Sequence, residues 1–523
     1  MTTGGALARA GLVVTGAFLV SRILGWVRVV VIGTTFGATR ELDAFFAAFR
    51  IPDLIFQLVA AGALGSALIP VLAGLLVTGE PGRAWRVAST VANLMTAALV
   101  VAAAALLVLA PWLVPLITPG FDEATLRLTV ELTQLMLLSP IFLGLGAVAT
   151  SILNAGNRFA AAAAAPVVYN LAIIGAALLL APSLGVHALA IGVVAGSVLH
   201  VLVQVPSLRA ARVRYEPRID LRDPAAREAL VLMAPRALGL GVSQITLLVS
   251  TALASGLAVG SVTAFNVAFT LLQIPIGVIG VPLGIVILPA MSRELALGRV
   301  EEFVRLLTRA IRLILFLMLP LTAIGMVVRV PAVAVLFDYG RFGGTAVVQT
   351  AETLLFFLIG LAAHGLIAVL ARAFYAGRDT TVPVVAAILA VVVNVAIGVA
   401  TVGTLELRGL ALSIAVGAWL EALFLLVVLR RRYPALDVRS IGRGFVEAAA
   451  LSALAGAAAL ATSSLLDSAA RGLPQKLGEL LLLAVPVAAG AAVYLAGSIA
   501  LRIPELATIV EAMATVVRRP RRA

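Results

Sequence analysis

An all-α polytopic membrane protein is predicted, with about 14 transmembrane helices arranged as two six-helix lobes related by a pseudo-two-fold along the membrane normal, plus two C-terminal helices. Three observations predict it. The composition is 62% hydrophobic and 12% charged, with mean hydropathy +1.13, and no water-soluble fold covers so much apolar surface with so few polar side chains. Apolar runs long enough to cross a hydrocarbon core recur along the whole chain. Arginines collect in alternate loops between those runs, as the positive-inside rule requires.

The apolar runs lie at residues 11–36, 42–76, 87–114, 125–153, 160–182, 186–206, 228–256, 262–291, 308–330, 347–376, 382–402, 408–430, 443–465 and 477–502. Loops assigned to one face hold Arg83 and Arg86, then Arg158, then Arg209, Arg212, Arg214, Arg218, Arg222 and Arg227. Farther on, the same face takes Arg293, Arg299, Arg305, Arg378 and the run from Arg430 to Arg439. The opposite loops are mixed, as in Asp122 and Glu123, or Asp338 and Arg341. This alternation puts both termini in the cytoplasm, with Arg518, Arg519, Arg521 and Arg522 as a basic anchor facing lipid. The N-terminal run is interrupted by Arg22 and lacks a small-residue cleavage site, so it is expected to be retained.

A net charge of +13 suggests nucleic acid in a soluble protein, but here the arginines sit between spans with no interleaved exposed aromatics, so no nucleic-acid partner is expected. The chain has no cysteine, which excludes disulfides and thiolate metal sites. No cofactor and no metal site are expected.

The halves repeat. Val20-Ser21-Arg22-Ile23 returns as Val242-Ser243-Gln244-Ile245, Ile51-Pro52 as Ile274-Pro275, Ala155-Gly156 as Ala376-Gly377, and Asn170 with its apolar neighbours as Asn394 with its own. A nearly constant offset in one order indicates duplication. The expected division is therefore residues 1–206 as the first lobe, helices one to six; 207–227 as an amphipathic cytoplasmic connector; 228–432 as the second lobe, helices seven to twelve; and 433–523 as the last two helices and basic tail.

The first two spans carry the anomaly: Arg22 and Arg28 in one, Asp43, Arg50, Asp53 and Gln57 in the other. Asp43, Arg50 and Gln57 are spaced by seven and so share a helical face. A charge at the bilayer centre costs about 2.5–3.5 kcal/mol even on a lenient scale, so these groups face a wet cavity or one another. Three arginines against two carboxylates leave surplus positive charge, which suits a phosphate or diphosphate. The competing reading is a purely structural tie between Arg28 and Asp43. The corresponding positions of the second half are uncharged: Gln244, Thr270 and Gln273. His364 reads as a satisfied packing residue or a protonation site. Gly280 and Gly284 read as a close helix contact or a bend.

Ser21-Arg22-Ile23-Leu24-Gly25 with Arg28, Asp43-Ala44-Phe45-Phe46 leading to Arg50-Ile51-Pro52, and Leu68-Ile69-Pro70-Val71-Leu72 resemble the opening of the MurJ/MviN family of lipid II flippases. Gly280-Val281-Pro282-Leu283-Gly284 and Leu370-Ala371-Arg372-Ala373-Phe374-Tyr375 fit the same family. The resemblance implies a transporter, not an enzyme, moving lipid II, the undecaprenyl-diphosphate-linked disaccharide-peptide, across the bacterial cytoplasmic membrane by alternating access. It implies roles in transport for Arg22, Arg28 and Asp43, a groove for the polyprenyl tail along residues 443–502, membrane lipids as neighbours and a monomeric carrier. Phe56, Gln57 and Thr270 stand where family members have arginines, Ala61 stands where they have a glutamate, and the spans at 228–256 and 382–402 lack the carboxylates of a sodium site beyond Glu228. Alternatives are a flippase for another polyprenyl-linked oligosaccharide and a multidrug/cation antiporter of the same superfamily, for which a membrane carboxylate rather than surplus arginine is expected. A membrane transferase is a third, without paired acids or a histidine cluster on a loop.

Overall fold

In the computed structural model the chain is described over residues 3–58 and 63–518. Its contacts group into two compact units, Met1–Thr263 with Gly340–Phe342, and Ala264–Tyr339 with Gly343–Ala523. The first contains α1 (Thr3–Phe36), α2 (Arg40–Phe56), α3 (Ala63–Val77), α4 (Pro81–Ile117), α5 (Glu123–Met136), α6 (Ser139–Ala155), α7 (Phe159–Leu179), α8 (Ala181–Leu184), α9 (His187–Leu202), α10 (Val205–Ala210) and α11 (Pro224–Ser255). Helix α12 (Ser261–Pro275) starts in the first unit and continues into the second. The second then holds α13 (Val281–Ala296), α14 (Val300–Phe337), α15 (Gly344–Ile359), α16 (Leu361–Ala376), α17 (Thr381–Leu405), α18 (Leu407–Arg432), α19 (Val438–Arg471), α20 (Gln475–Ala500) and α21 (Pro504–Arg518).

Helix starts follow local chemistry. Thr39, Asp122, Asp223 and Asp437 cap α2, α5, α11 and α19, each side chain accepting from a backbone N–H of the first turn that has no partner inside the helix. Pro81 and Pro224 open α4 and α11, where a missing N–H loses nothing. The repeat is visible in these ends: Gly156 closes α6 and Gly377 closes α16.

Among the described residues, eleven helices are long and apolar enough to cross a membrane, or up to twelve if α15 and α16, bent by 44°, form one span. The described count is thus below the predicted fourteen. Within the two remaining predicted spans, 42–76 and 228–256, the described residues give shorter apolar helices, Ala67–Val77 and Gln244–Ser255. Ionised side chains in α2 lower its hydropathy, and residues 59–62 lie outside the described residues.

In the first unit α7 packs on α1 and α9, α2 on α5, and α3 on α6 and α11. One core gathers Leu68, Leu72, Val91 and Leu99; another gathers Phe36, Leu42, Phe45 and Leu189. In the second unit α14 is the central post, touching α15, α16, α19 and α20. The Tyr494 hydroxyl donates to the Phe316 carbonyl at 2.7 Å within that core. Gly280 ends a π-turn, Ile276–Gly280, and a methyl group on Gly284 would lie 2.6 Å from the Ala368 carbonyl. The predicted glycine pair therefore does both things expected of it, a distortion of the helix and a close approach of α13 to α16.

Loops assigned to one face contact one another. On the arginine-poor face Arg40 pairs with Asp122 at 2.6 Å, the Gly120 N–H donates to Ser255, and the Arg341 N–H donates to the Thr34 carbonyl. On the arginine-rich face Arg83 binds Asp223 at 2.8 Å, Arg158 donates to the Ala210 carbonyl, and Arg432 pairs with Asp379. The predicted connector is not a continuous helix. After α10 it runs irregularly along α4, with Glu216 N–H on Ser89, Asp220 N–H on Thr90, and Asn93 donating to the carbonyls of Glu216 and Arg218.

Candidate functional site

The site is built from the first unit, around α2. Its N-terminal turn holds Asp43, an aspartate only 3% exposed. Oδ1 accepts from both the backbone N–H and the hydroxyl of Thr263, each at 2.7 Å, and Oδ2 accepts from the Gly260 N–H at 2.6 Å. These donors belong to the start of α12, where unpaired N–H groups carry partial positive charge. Asp43 is thus satisfied without a cation, and the described contacts contain no Arg28–Asp43 tie.

Around that cap the arginine-poor ends of the helices close on one another through backbone. Gly260 has φ +89°, and a Cβ there would sit 2.7 Å from the Ala38 carbonyl. Gly37, at φ +71°, would put its Cβ 2.4 Å from the Arg341 carbonyl. Both positions require the left-handed region and the absence of a side chain. Backbone groups and the Asp43 carboxylate thus form a seal at the arginine-poor end of the first unit, beside the buried Phe36 and Leu42.

Two to three turns deeper along α2 lie Arg50 and Asp53. Arg50 Nε donates to the Thr251 hydroxyl at 3.1 Å. Asp53 accepts from Gln244 Nε2 at 2.8 Å, with Gln57 also in hydrogen-bonding reach and Arg50 and Arg28 near enough to act on its charge. The Arg28 guanidinium lies 5.8 Å from the centre of the Tyr169 ring. Asp43 lies ~15 Å along the helix from Asp53, so the predicted set splits into a cap and a cluster. In the cluster two arginines face one carboxylate, and surplus positive charge remains. Arg22 is exposed, farther along α1.

The second-half candidates separate. Gln244 joins the cluster through Asp53. Thr270 and Gln273 belong to the second unit; the Thr270 hydroxyl donates to the Asn266 carbonyl within α12, and Gln273 is exposed. His364 is not the satisfied packing residue of the simpler reading, since its Nε2 is buried without a hydrogen-bond partner among the described residues. Thr251, Thr263 and Tyr169 are site residues that the sequence reading passed over. Thr251 was legible: it follows Gln244 by seven, the same interval that aligns Asp43, Arg50 and Gln57.

The family model described as Lipid II flippase MurJ matches residues 32–471. The lipid II flippase MurJ of Burkholderia cenocepacia is 34% identical over 434 residues, covering 82% of this chain and 84% of that protein. Among solved structures, one titled "Lipid II flippase MurJ, inward closed conformation" superposes with a TM-score of 0.79 at 23% identity, covering 94% of this chain and 99% of that one. An inward-facing multidrug resistance MATE family transporter of the MOP superfamily gives a TM-score of 0.67 at 19% identity, over 79% and 95% of the two chains. At those identities the two structures speak for the fold. Together with the charged α1–α2 pair, the sequence matches place this multi-pass membrane protein in a transporter family: the chain belongs to the lipid II flippase MurJ family.

Proposed function

We propose that this protein carries lipid II, the undecaprenyl-diphosphate-linked disaccharide-peptide, from the inner to the outer leaflet of the bacterial cytoplasmic membrane by alternating access, with both termini cytoplasmic and as a monomer. The observation that carries the reading is the arginine cluster beneath the Asp43 cap, where Arg28 and Arg50 lie near the single carboxylate of Asp53. A diphosphate is a multivalent anion, and Arg28 and Arg50 against Asp53 leave positive charge to receive it, with guanidiniums able to form forked bonds to its oxygens. Arg22 takes the same anion nearer the arginine-rich face, and Gln57 and Gln244 orient Asp53.

The lobes of this cycle are residues 1–206 and 228–432, with 207–227 between them and 433–523 bearing the tail groove. Moving one charge through the membrane potential is worth about 2.3 kcal/mol per 100 mV. An empty, net-positive cavity is therefore biased toward the negative cytoplasm, and a bound diphosphate removes the bias. Complementation tests the reading: the chain should restore growth of a strain depleted of its lipid II flippase, and purified protein should move fluorescent lipid II across proteoliposomes. No growth and no lipid II movement despite normal membrane insertion would refute it.

A further inference from the structure

At the arginine-rich end of the second unit a cavity of about 540 Å³ opens between the first turns of α19 and the turn joining α20 to α21. Its back wall is Arg312 of α14, whose side chain is 14% exposed. Arg312 is pinned: it pairs with Glu505, itself 9% exposed, and donates to the Ser440 hydroxyl at 2.9 Å and carbonyl at 3.2 Å. Arg443 is paired with Glu447 at 2.7 Å. Asp437 accepts from the Ser440 N–H at 2.9 Å as the cap of α19.

After those pairings Arg439 and Arg502 remain on the cavity wall with no acidic partner among the described residues. They come from opposite walls. The surface beside them is apolar and exposed: Val438 at 41% and Val446 at 64% on α19, Ile499 at 65% and Leu501 at 61% on the facing side. An exposed apolar strip beside two unpaired guanidiniums, at the end of two membrane-crossing helices, has the amphipathic order of a lipid at the bilayer surface. Basic recesses between spans at this level hold anionic headgroups. The lining contains no aromatic ring on which a nucleobase would stack.

We infer that this cavity is a binding site for an anionic glycerophospholipid of the cytoplasmic leaflet, its phosphodiester held between Arg439 and Arg502 and its acyl chains lying along the exposed faces of α19 and α20. Arg312 positions the site by tying α14, α19 and α21 together. The site is separate from the Arg28–Arg50 cluster, which lies in the first unit.

The test is native mass spectrometry of delipidated full-length protein titrated with dioleoylphosphatidylglycerol, with dioleoylphosphatidylcholine as the neutral control. Wild type should hold one phosphatidylglycerol more tightly than any phosphatidylcholine. Binding should weaken about fivefold for each guanidinium removed and roughly 30-fold in Arg439→Gln with Arg502→Gln, with phosphatidylcholine adducts unchanged. The single variant Arg439→Gln, at an exposed position without a described partner, reads the same effect should the double variant unfold. Equal retention of both lipids by wild type, or unchanged phosphatidylglycerol binding in Arg439→Gln, overturns the assignment. Displacement of the lipid by millimolar inorganic phosphate overturns it in favour of a free-anion site, whereas indifference to phosphate supports the lipid.

Discussion

Asp43 and Thr263 are joined twice, the backbone N–H and the hydroxyl of Thr263 both donating to Oδ1 at 2.7 Å, in a place from which water is excluded. Hydrogen bonds to an ionised group contribute about 1.5–3 kcal/mol each. Asp43→Asn keeps the shape but turns an amide NH2 toward N–H donors. The expected result is a seal that opens roughly tenfold to 100-fold more often, read as faster labelling of Ala47→Cys by an impermeant maleimide from the arginine-poor side. Equal labelling rates would separate Asp43 from the seal.

Gly260→Ala should act in the same direction by a different cause. Its methyl would meet the Ala38 carbonyl at 2.7 Å, so the seal cannot close without moving backbone, and the left-handed φ adds roughly 1 kcal/mol of strain. Transport should fall while expression and membrane insertion stay normal. Gly298→Ala, also at positive φ but in open space, is the control and should retain transport.

Arg28→Ala and Arg50→Ala should each abolish lipid II transport in proteoliposomes. Arg50→Lys should recover only part of it, because an ammonium cannot form the planar fork. Thr251→Val removes the hydroxyl that accepts from Arg50 Nε, and an intermediate loss is expected from a misaimed guanidinium. Full activity in both alanine variants would remove the diphosphate from this cluster.

The connector gives a pH-dependent prediction. Arg83 beside Asp223 holds that carboxyl below the usual carboxylate range. A depressed pKa means the clamp contributes stability above the unfolded value of about 3.9 and loses it as pH falls through the lower folded value. Protection of the Glu216 and Asp220 amides, relative to their intrinsic exchange rates, should therefore stay high at neutral pH and fall only in strong acid. Asp223→Asn should lower that protection already at neutral pH, with trypsin cutting at Arg218.

Topology is checked by reporter fusions. Fusions at Arg83, Arg214, Arg299 and Arg432 should report one side of the membrane, and fusions at Asp122, Asp338 and Asp467 the other. The Asp338–Gln475 hydrogen bond of 2.6 Å already brings two of the arginine-poor loops together. One exchanged pair would break the span order.

Class and family were legible in the chain itself, because hydropathy acts through the bilayer and needs no knowledge of which helix meets which. The same holds for the anomaly of α1 and α2: a charge inside an apolar run is costly wherever it finally packs. Spacing by seven also placed Asp43, Arg50 and Gln57 on one face, since it depends only on helical pitch. Tertiary structure alone decided what each charge does. Asp43 serves the start of α12 through contacts more than 200 residues away in sequence, and Asp53, not Asp43, shares the arginines. Partner choice across such distances depends on how helices pack, which no local pattern encodes, and backbone donors such as the Gly260 N–H carry no side-chain signature at all.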